Sequence, residues 1–234
     1  MKPIEEYYSK VFEQIHYKGC TGCYTRHYHK ALESGLVGSF EKIIELGGGT
    51  GEHIEFIKHP FSLYVSVDIE LPKRKTFNHY NENTSSIFFN VANVQNLSFN
   101  SSTFDRAIVT CLLHHVENPI KSLTEIRRVT KNDGKVSIYL PSDPGLIYRV
   151  AQFVTTGIKL NRALKKADIK LTSSQLNAIE HRNHVRSLNK LIGMVFKNDS
   201  ITKKRFPIKF LSWNFSLYTI YNIKIDKQYG NTDE

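Results

Sequence analysis

Residues 43–53 read Ile-Ile-Glu-Leu-Gly-Gly-Gly-Thr-Gly-Glu-His, and this stretch decides how the rest of the chain is interpreted. A short apolar run leads into a glycine cluster and then into helical spacing over 52–58, which predicts a strand, a tight turn and a helix. Gly47, Gly49 and Gly51 can adopt positive φ, so that a ligand can lie against the main chain at the turn. The stretch therefore predicts a site for a nucleotide-like ligand.

The glycine spacing argues against a dinucleotide. A dinucleotide fingerprint is G-x-G-x-x-G, whereas this turn is G-x-G-x-G and places Glu52 where the third glycine belongs. A carboxylate at that place repels a pyrophosphate, although it suits the positive end of a helix dipole. Glu45 on the strand adds a second acid, and the pair favours a cationic ligand with an amino group and a sulfonium.

Residues 45–51 give the chain its first resemblance to a known family. The motif Glu-Leu-Gly-Gly-Gly-Thr-Gly resembles the first motif of the class I S-adenosylmethionine-dependent methyltransferases. The resemblance implies S-adenosylmethionine as the cofactor. A glycine turn with a purely structural role is the alternative. The cofactor-binding residues implied in this stretch are Glu45, Gly47, Gly49, Gly51 and His53.

Another acid of the expected site follows the next predicted strand, over 62–67. Asp68 lies seventeen residues beyond Gly51, close to the usual separation of about twenty between a glycine turn and the acid that binds ribose hydroxyls. The resemblance assigns Asp68 the same role. A buried or capping aspartate is the alternative.

A third predicted strand, over 86–91, is followed by Asn93 and Val94. The family commonly has an aspartate at the place of Asn93, where it accepts a hydrogen bond from the adenine amino group. An asparagine side-chain oxygen can still accept that bond. The resemblance thus implies that Asn93 and Val94 contact the cofactor.

Residues 104–116, Phe-Asp-Arg-Ala-Ile-Val-Thr-Cys-Leu-Leu-His-His-Val, form the second strong match. They resemble the fourth strand of a small-molecule subgroup of the family, which ends this strand in Leu-His-His. The run is apolar, as expected for a parallel strand covered on both faces, and ligands meet such sheets at the carboxyl ends of the strands. No Asn/Asp-Pro-Pro-Tyr tetrad follows, which argues against amino methylation of adenine or glutamine.

Three side chains near the end of this strand are candidates for the site. We expect Cys111 to be a thiol inside the strand, packed in the core and counted among the cofactor-binding residues. His114 and His115 cap the strand, and either is a candidate base for a hydroxyl or amine nucleophile. Shaping the cofactor pocket is the alternative role for both histidines.

A helix over 119–131 and a strand over 135–140 complete an alternation of strands and helices from 43 to 140. The alternation predicts an α/β fold with a Rossmann-like, doubly wound, mostly parallel sheet. Further expected parts are an N-terminal helical cap, a helical insertion after the fifth strand, and an antiparallel hairpin over 201–210 and 214–225. The predicted divisions are the cap (1–40), a cofactor-binding core (41–144), the insertion (145–200), the hairpin (201–226) and a tail (227–234).

Charge separates the two halves of the chain. Residues 1–144 hold 16 basic and 16 acidic side chains, whereas residues 145–226 hold 15 basic and 4 acidic ones. The insertion contains an apolar stripe that begins at Ile147 and a basic run over 162–170. Such a run is either a solvated face or a field that focuses an anionic partner. Beside an apolar stripe it also allows peripheral contact with a membrane.

The densest polar cluster of the insertion is Glu-His-Arg-Asn-His-Val-Arg, over 180–186. On a helix, His181 and His184 share one face, and Arg182 and Arg186 share another. The histidines are candidates for a catalytic base, and the arginines for a substrate clamp on a phosphate or carboxylate. A surface helix that pairs with nearby acids is the alternative.

The N-terminal part contains a weak metal pattern, Cys20-x2-Cys23-x3-His27-x-His29. A structural zinc site draws on two separated ligand pairs, and no second pair follows, so we expect no metal. Helical spacing over 24–36 indicates a cap helix instead, and the resemblance implies that such helices shape the substrate entrance. Tyr24 and His29 are the expected substrate-binding residues. The wider set of lid candidates is Tyr7, Tyr8, Tyr24 and His29.

Composition predicts a soluble, cytoplasmic protein. The chain has 234 residues, 40% of them hydrophobic, and a mean hydropathy of -0.35. No apolar run approaches the ~18 residues of a membrane helix, and the first ten residues contain acids where a signal peptide is basic. Three cysteines do not make a disulfide framework.

These observations predict a methyltransferase that acts on a hydroxyl or amine of a small, anionic molecule, such as a nucleotide sugar or another phosphorylated saccharide. An RNA methyltransferase is one alternative, favoured by a pI near 9.4. A non-catalytic binding module with the same fold is another. The sequence leaves the acceptor atom and the oligomeric state open.

Overall fold

The computed structural model of the protein describes residues 19–70 and 86–227, together with Ile4, Glu6, Tyr7, Lys10, Val11 and Ile15. Four expectations fall outside the described residues and side chains: the lid role of Tyr8, the metal pattern at the side chain of Cys20, the helix between the second and third strands, and the tail beyond residue 227. Among the described helices, none has the length and apolar character that a membrane span requires.

Seven strands form one sheet in the described part of the chain. They are β1 (Lys42–Leu46), β2 (Leu63–Asp68), β3 (Ser86–Val91), β4 (Phe104–Val109), β5 (Thr130–Pro141), β6 (Ser200–Phe206) and β7 (Tyr218–Lys224). The spatial order is β3-β2-β1-β4-β5-β7-β6. The first five strands run parallel, and β7 is antiparallel to β5 and β6. The predicted Rossmann-like, mostly parallel sheet with a C-terminal antiparallel hairpin is confirmed.

Helices flank this sheet. They are α1 (Gly19–Glu33), α2 (Pro119–Val129), α3 (Leu146–Gln152), α4 (Ile158–Lys166), α5 (Ser173–Glu180) and α6 (Val185–Val195). A π segment (Phe153–Gly157) joins α3 to α4, so residues 146–166 form one continuous helical segment. Two short 3-10 helices span Glu52–Phe56 and Trp213–Phe215.

The predicted alternation of strands and helices is wrong between β3 and β4. Residues 92–103 form turns without a helix, because their asparagines and serines favour turns. Arg128 holds this loop by donating to the Leu97 and Phe99 carbonyls at 2.9 and 2.8 Å. The helix predicted over 52–58 is also shorter and ends at Phe56, since Pro60 disfavours helical backbone in the residue before it.

Buried side chains cover both faces of the sheet. On one face, Leu123 of α2 and Leu188 and Ile192 of α6 join the main apolar cluster. On the other, Tyr28 and Leu32 of α1 pack on the strands. α4 and α5 belong to a separate cluster that includes the described N-terminal side chains Tyr7, Val11 and Ile15. The segment predicted as one insertion therefore divides, because α6 packs on the sheet and the helices before it do not.

Candidate functional site

The glycine turn follows β1, which lies between β2 and β4 where the strand order reverses. Open α/β sheets bind ligands in the crevice at this switch point. Gly47 has φ of +74°, and its amide donates to the Val67 carbonyl at 2.9 Å. A Cβ on Gly47 would lie 2.9 Å from the Thr110 carbonyl oxygen and from Leu112 Cβ. The turn is therefore closed to any side chain at this position.

The rest of the turn is equally restricted. A Cβ on Gly48 would lie 2.8 Å from Glu45 Oε2 and closer still to Ser66 Oγ. Gly49 and Gly51 have φ of +51° and +86°, and Gly51 begins the 3-10 helix. The main chain is thus exposed at the point where a ligand can approach it.

Asp68 lies beside this turn at the end of β2. Its Oδ2 accepts a hydrogen bond from the Gly49 amide at 3.0 Å, and its Oδ1 accepts one from the Ile69 amide at 2.7 Å. The carboxylate is half-buried. Its orientation is fixed by the main chain, which fits the role expected from the spacing.

Glu45 is 1% exposed and accepts hydrogen bonds from the hydroxyls of Tyr64 (2.7 Å) and Thr110 (2.9 Å). Burial, with a smaller contribution from the Glu52 and Asp68 carboxylates, raises the pKa of Glu45 to about 8 against the effect of these two bonds. Within residues 19–70 and 86–227, no ion pair neutralises any of the three acids. A cationic ligand is the group that fits this arrangement.

Three histidines meet at the end of β4. The ring centroids of His114 and His115 are 3.9 Å apart, and that of His181 lies 4.6 Å from His114 and 5.4 Å from His115. His115 Nδ1 donates to the Glu180 carbonyl at 2.8 Å. Residues nearly seventy positions apart therefore form one imidazole cluster in the cleft.

His181 is the member with a carboxylate partner. Its Nδ1 lies 2.6 Å from Asp143 Oδ2, and both side chains are partly exposed. Because Nδ1–H donates to the carboxylate, Nε2 is left as a proton acceptor. This pair can orient an imidazole and stabilise its positive charge after it accepts a proton.

The segment that contains the glycine turn, Asp68, His114 and His115 is shared with known proteins, whereas Asp143 and His181 lie outside it. Residues 44–138 match the family model described as a methyltransferase domain. Residues 44–138 thus form a methyltransferase domain, in agreement with the resemblance to the class I S-adenosylmethionine-dependent methyltransferases. The cofactor predicted from the glycine turn is thus the cofactor of the family. The Leu-His-His subgroup stays a prediction.

Individual relatives agree with this family. Two uncharacterized proteins of Methanocaldococcus jannaschii are 30% identical over 105 residues and 24% identical over 213 residues. These alignments cover 45% and 88% of this chain, and 43% and 76% of the relatives, so the chain spans less than half of the first relative's length. Burkholderia thailandensis 1,6-didemethyltoxoflavin-N1-methyltransferase, solved with 1,6-didemethyltoxoflavin and S-adenosylhomocysteine, has the same fold. Its TM-score is 0.57 at 14% identity, over 95% of this chain and 90% of that one.

Part of the insertion after β5 differs from its expected form. Residues 181–184 are not helical, because α5 ends at Glu180 and α6 begins at Val185. The Asn183 side chain fixes this break by donating to the Leu113 and Val116 carbonyls at 3.1 and 2.6 Å. The predicted shared helix faces of His181 with His184 and of Arg182 with Arg186 are therefore wrong. His184, Arg182 and Arg186 are exposed.

Cys111 is not inside a strand, which corrects another expectation. β4 ends at Val109, and Cys111 has φ of +51° and an exposed position at the cleft. Its Sγ lies 3.8 Å from His114 Nε2.

The loop after β3 has the two residues expected near the adenine. Asn93 is exposed, and its Oδ1 accepts from the Gln95 amide at 2.9 Å and from Gln95 Nε2 at 3.3 Å. Val94 is buried in the main core. Asn93 is thus positioned at the surface by an Asx turn, whereas Val94 anchors the loop.

The residues expected from the cap separate into two environments. The Tyr24 hydroxyl lies 2.9 Å from that of Tyr139, and burial raises the pKa of Tyr24, with a smaller contribution from Cys111. His29 and His53 are both buried, and their Nδ1 atoms lie 2.8 Å apart beneath the 3-10 helix. This placement does not support the predicted binding roles of the two histidines.

Several residues of the site are not predicted from the sequence. Asp143 follows the carboxyl end of β5, and the rule that sites collect at strand ends could have found it. Asn183 and Thr110 gave no signal, because their roles depend on bonds to distant residues. Tyr148 of α3 is also near the cleft, where burial, Tyr24 and Asp143 raise its pKa.

Proposed function

We propose that this methyltransferase transfers the methyl group of S-adenosylmethionine to a hydroxyl or amine of a small, anionic molecule. A nucleotide sugar or another phosphorylated saccharide is the acceptor class that suits the basic second half of the chain. The observation that carries the proposal is the pairing of His181 with Asp143 at 2.6 Å, beside His114 and His115 at the end of β4.

The glycine turn and its acids are suited to hold the cofactor. The glycines at 47, 48, 49 and 51 expose main-chain amides and leave room for its amino acid part, and Asp68 is suited to bind the ribose hydroxyls. Glu52 supplies negative charge toward a cation, and Glu45 adds to it when it is ionised. The bound cofactor supplies an electrophilic methyl carbon on a sulfonium. The protein's task is then mainly alignment and exclusion of water.

His181 is the proposed base. Its Nδ1–H is held by Asp143, and Nε2 is free to accept the proton that a hydroxyl or ammonium group loses. Burial lowers the pKa of His114 well below its ordinary value, and His115 and His181 lower it further. Burial also lowers the pKa of His115. These two rings are better suited to remain neutral and shape the pocket.

Arg182 in the same loop and Arg186 in the first turn of α6 are proposed to attract the acceptor. Arg182 and Arg186 are exposed on either side of His184 and have no ion pair among the described residues. A guanidinium binds phosphate or carboxylate through paired donors. An anionic acceptor would thus be drawn toward the edge of the cleft that holds His181.

The experiment is a screen of phosphorylated and nucleotide-linked sugars that follows formation of S-adenosylhomocysteine, followed by single variants at saturating cofactor. His181→Ala should lower turnover by about 10²–10⁴-fold, because it removes the base. His184→Ala is the matched control and should leave turnover unchanged.

Asp143→Asn should lower turnover and shift its pH profile without loss of cofactor affinity. Equal turnover for His181→Ala and the parent protein would remove the base from the proposal. Activity on RNA alone, abolished by ribonuclease, would assign the chain to RNA methylation. No calorimetric binding of S-adenosylmethionine would assign it to the non-catalytic class.

A further inference from the structure

The continuous helical segment of residues 146–166 exposes an apolar face. Leu160 and Leu164 point inward and pack with the cluster that contains Tyr7 and Leu176. The exposed side follows helical spacing, and Phe153 and Val154 are 68% and 64% exposed. The other large apolar side chains on the exposed side are Leu146, Val150 and Ile158. Contiguous apolar surface of this kind marks an interaction site on a protein.

The same segment is strongly basic. It contains Arg149, Lys159, Arg162, Lys165 and Lys166, and no acidic residue. All five of these side chains are exposed. A helix with apolar residues on one face, basic residues beside them and no acids is typical of helices that lie in the interface of an anionic membrane.

A second exposed element lies next to the start of this helix. Phe210, on the loop after β6, is 95% exposed, and its neighbour Lys209 is exposed too. The 3-10 helix that follows this loop is tied to the start of the helical segment, because the Leu146 amide donates to Asn214 Oδ1 at 2.9 Å. Exposed apolar and basic side chains therefore also occur on the loop that leads into this contact.

We propose that this surface, formed by the exposed faces of residues 146–166 and the loop at Ile208–Phe210, docks the protein on an anionic lipid bilayer. The apolar side chains enter the boundary between headgroups and acyl chains, and the basic side chains bind the anionic headgroups. The segment begins three residues after Asp143, so docking would bring the edge of the cleft to the lipid surface. The docking itself does not depend on the proposed acceptor.

The first experiment is co-sedimentation of the full chain with vesicles. Vesicles of equal parts phosphatidylcholine and phosphatidylglycerol should bind the protein, and binding should weaken steeply with salt. Vesicles of phosphatidylcholine alone should bind it about tenfold or more weakly, because each basic side chain near an anionic surface adds attraction. Equal binding to both vesicles, or to neither, overturns the proposal.

Variants then locate the surface. The double variant Phe153→Ser/Val154→Ser should weaken vesicle binding about tenfold or more, since both side chains lose apolar burial in the interface. Val37→Ser is the matched control, because Val37 is also largely exposed but lies outside the segment. Lys165→Glu/Lys166→Glu should weaken binding similarly, whereas Lys121→Glu, an exposed position on α2, should not.

These variants should fold normally, because the substituted side chains are exposed. Thermal unfolding at the same temperature as the parent protein checks this. If all variants bind anionic vesicles as the parent protein does, the proposal is wrong. If the variants lose RNA binding while vesicle binding stays absent throughout, the surface is a nucleic-acid site and the proposal is again wrong. Because no cofactor is used, failure of the methyl-transfer proposal leaves these outcomes unchanged.

Discussion

Two clusters of charged and imidazole side chains lie near the glycine turn, and they differ in how they are paired. One lies beneath the 3-10 helix and joins Glu33, His53 and Arg106 in a fully buried network. The other is the half-open cluster of His114, His115 and His181 at the end of β4. Histidines and charged side chains thus have a structural role where each charge is buried with a partner. They are suited to chemistry where part of the cluster is open to the cleft.

The buried network links three elements of the fold. Arg106 on β4 donates to both oxygens of Glu33 on α1, at 2.6 and 3.1 Å, and His53 Nε2 donates to Glu33 at 2.9 Å. Burial raises the pKa of Glu33, but the bonds from His53 and Arg106 outweigh it and lower the pKa to about 2. This network fixes α1, the cap helix, against the sheet.

The largest expected effect is the loss of stability when the buried cluster is broken. Arg106→Leu should lower the free energy of unfolding by about 3–5 kcal/mol, because it leaves the Glu33 carboxylate buried without its partner. Urea denaturation monitored by circular dichroism measures this. The double variant Arg106→Leu/Glu33→Leu should recover part of the loss, since neither charge is then buried alone.

Glu33 also sets a pH window for the same test. Its folded-state pKa lies below the ordinary value of 4.5, so its stabilisation is present above that pH and is lost as the pH falls through about 2.

If the double variant Arg106→Leu/Glu33→Leu is less stable than Arg106→Leu, packing rather than charge pairing decides the stability of this cluster.

The second prediction concerns the acid that the main chain holds beside the turn. Asp68→Ala should weaken binding of S-adenosylmethionine by about 1–3 kcal/mol, because it removes charged hydrogen bonds to the ribose. Calorimetric titration measures the affinity. Glu41→Ala, an exposed acid at the opposite end of β1, is the matched control and should bind the cofactor normally. Unchanged affinity for Asp68→Ala refutes the ribose role.

The smallest expected effect is the pH dependence that Glu45 contributes. With a pKa raised to about 8, its carboxyl is mostly protonated near pH 7 and ionises as the pH rises. Affinity for a cationic cofactor should therefore increase about tenfold from about pH 7 to about pH 9, if binding holds the carboxylate ionised. The increase should be absent in Glu45→Gln. Calorimetry measures the affinity of both proteins at each pH, and the comparison removes the contribution of the ligand's own titration.

Stability should change in the opposite direction for the free protein. The folded-state pKa of Glu45 lies above the unfolded value of 4.5, so the unfolded chain releases this proton first. The free energy of unfolding then falls as the pH rises from about 4.5 through about 8. If the free energy of unfolding has the same pH dependence in the parent protein and in Glu45→Gln, folding does not raise the pKa of Glu45 and this prediction is wrong.

Much of the sheet could be predicted from the sequence because its strands are short apolar runs bounded by turn residues. β3 has the predicted bounds, and β2 and β4 begin within one residue of the expected positions. The alternation of strands and helices predicts a helix over 92–103, but the asparagines and serines of this loop favour turns. Bonds from Arg128 show which tendency prevails there.

The sequence by itself determined the glycine turn, Asp68 and the family, because positive φ and strand-end acids leave local patterns that can be read without contacts. Only the tertiary structure decided which histidines lie together. His181 and Asp143 are 38 positions apart, and they meet because α5 ends at the carboxyl edge of the sheet. Tertiary structure also placed His29 and His53 in a buried network, since burial and pairing depend on the packing of α1 against β4.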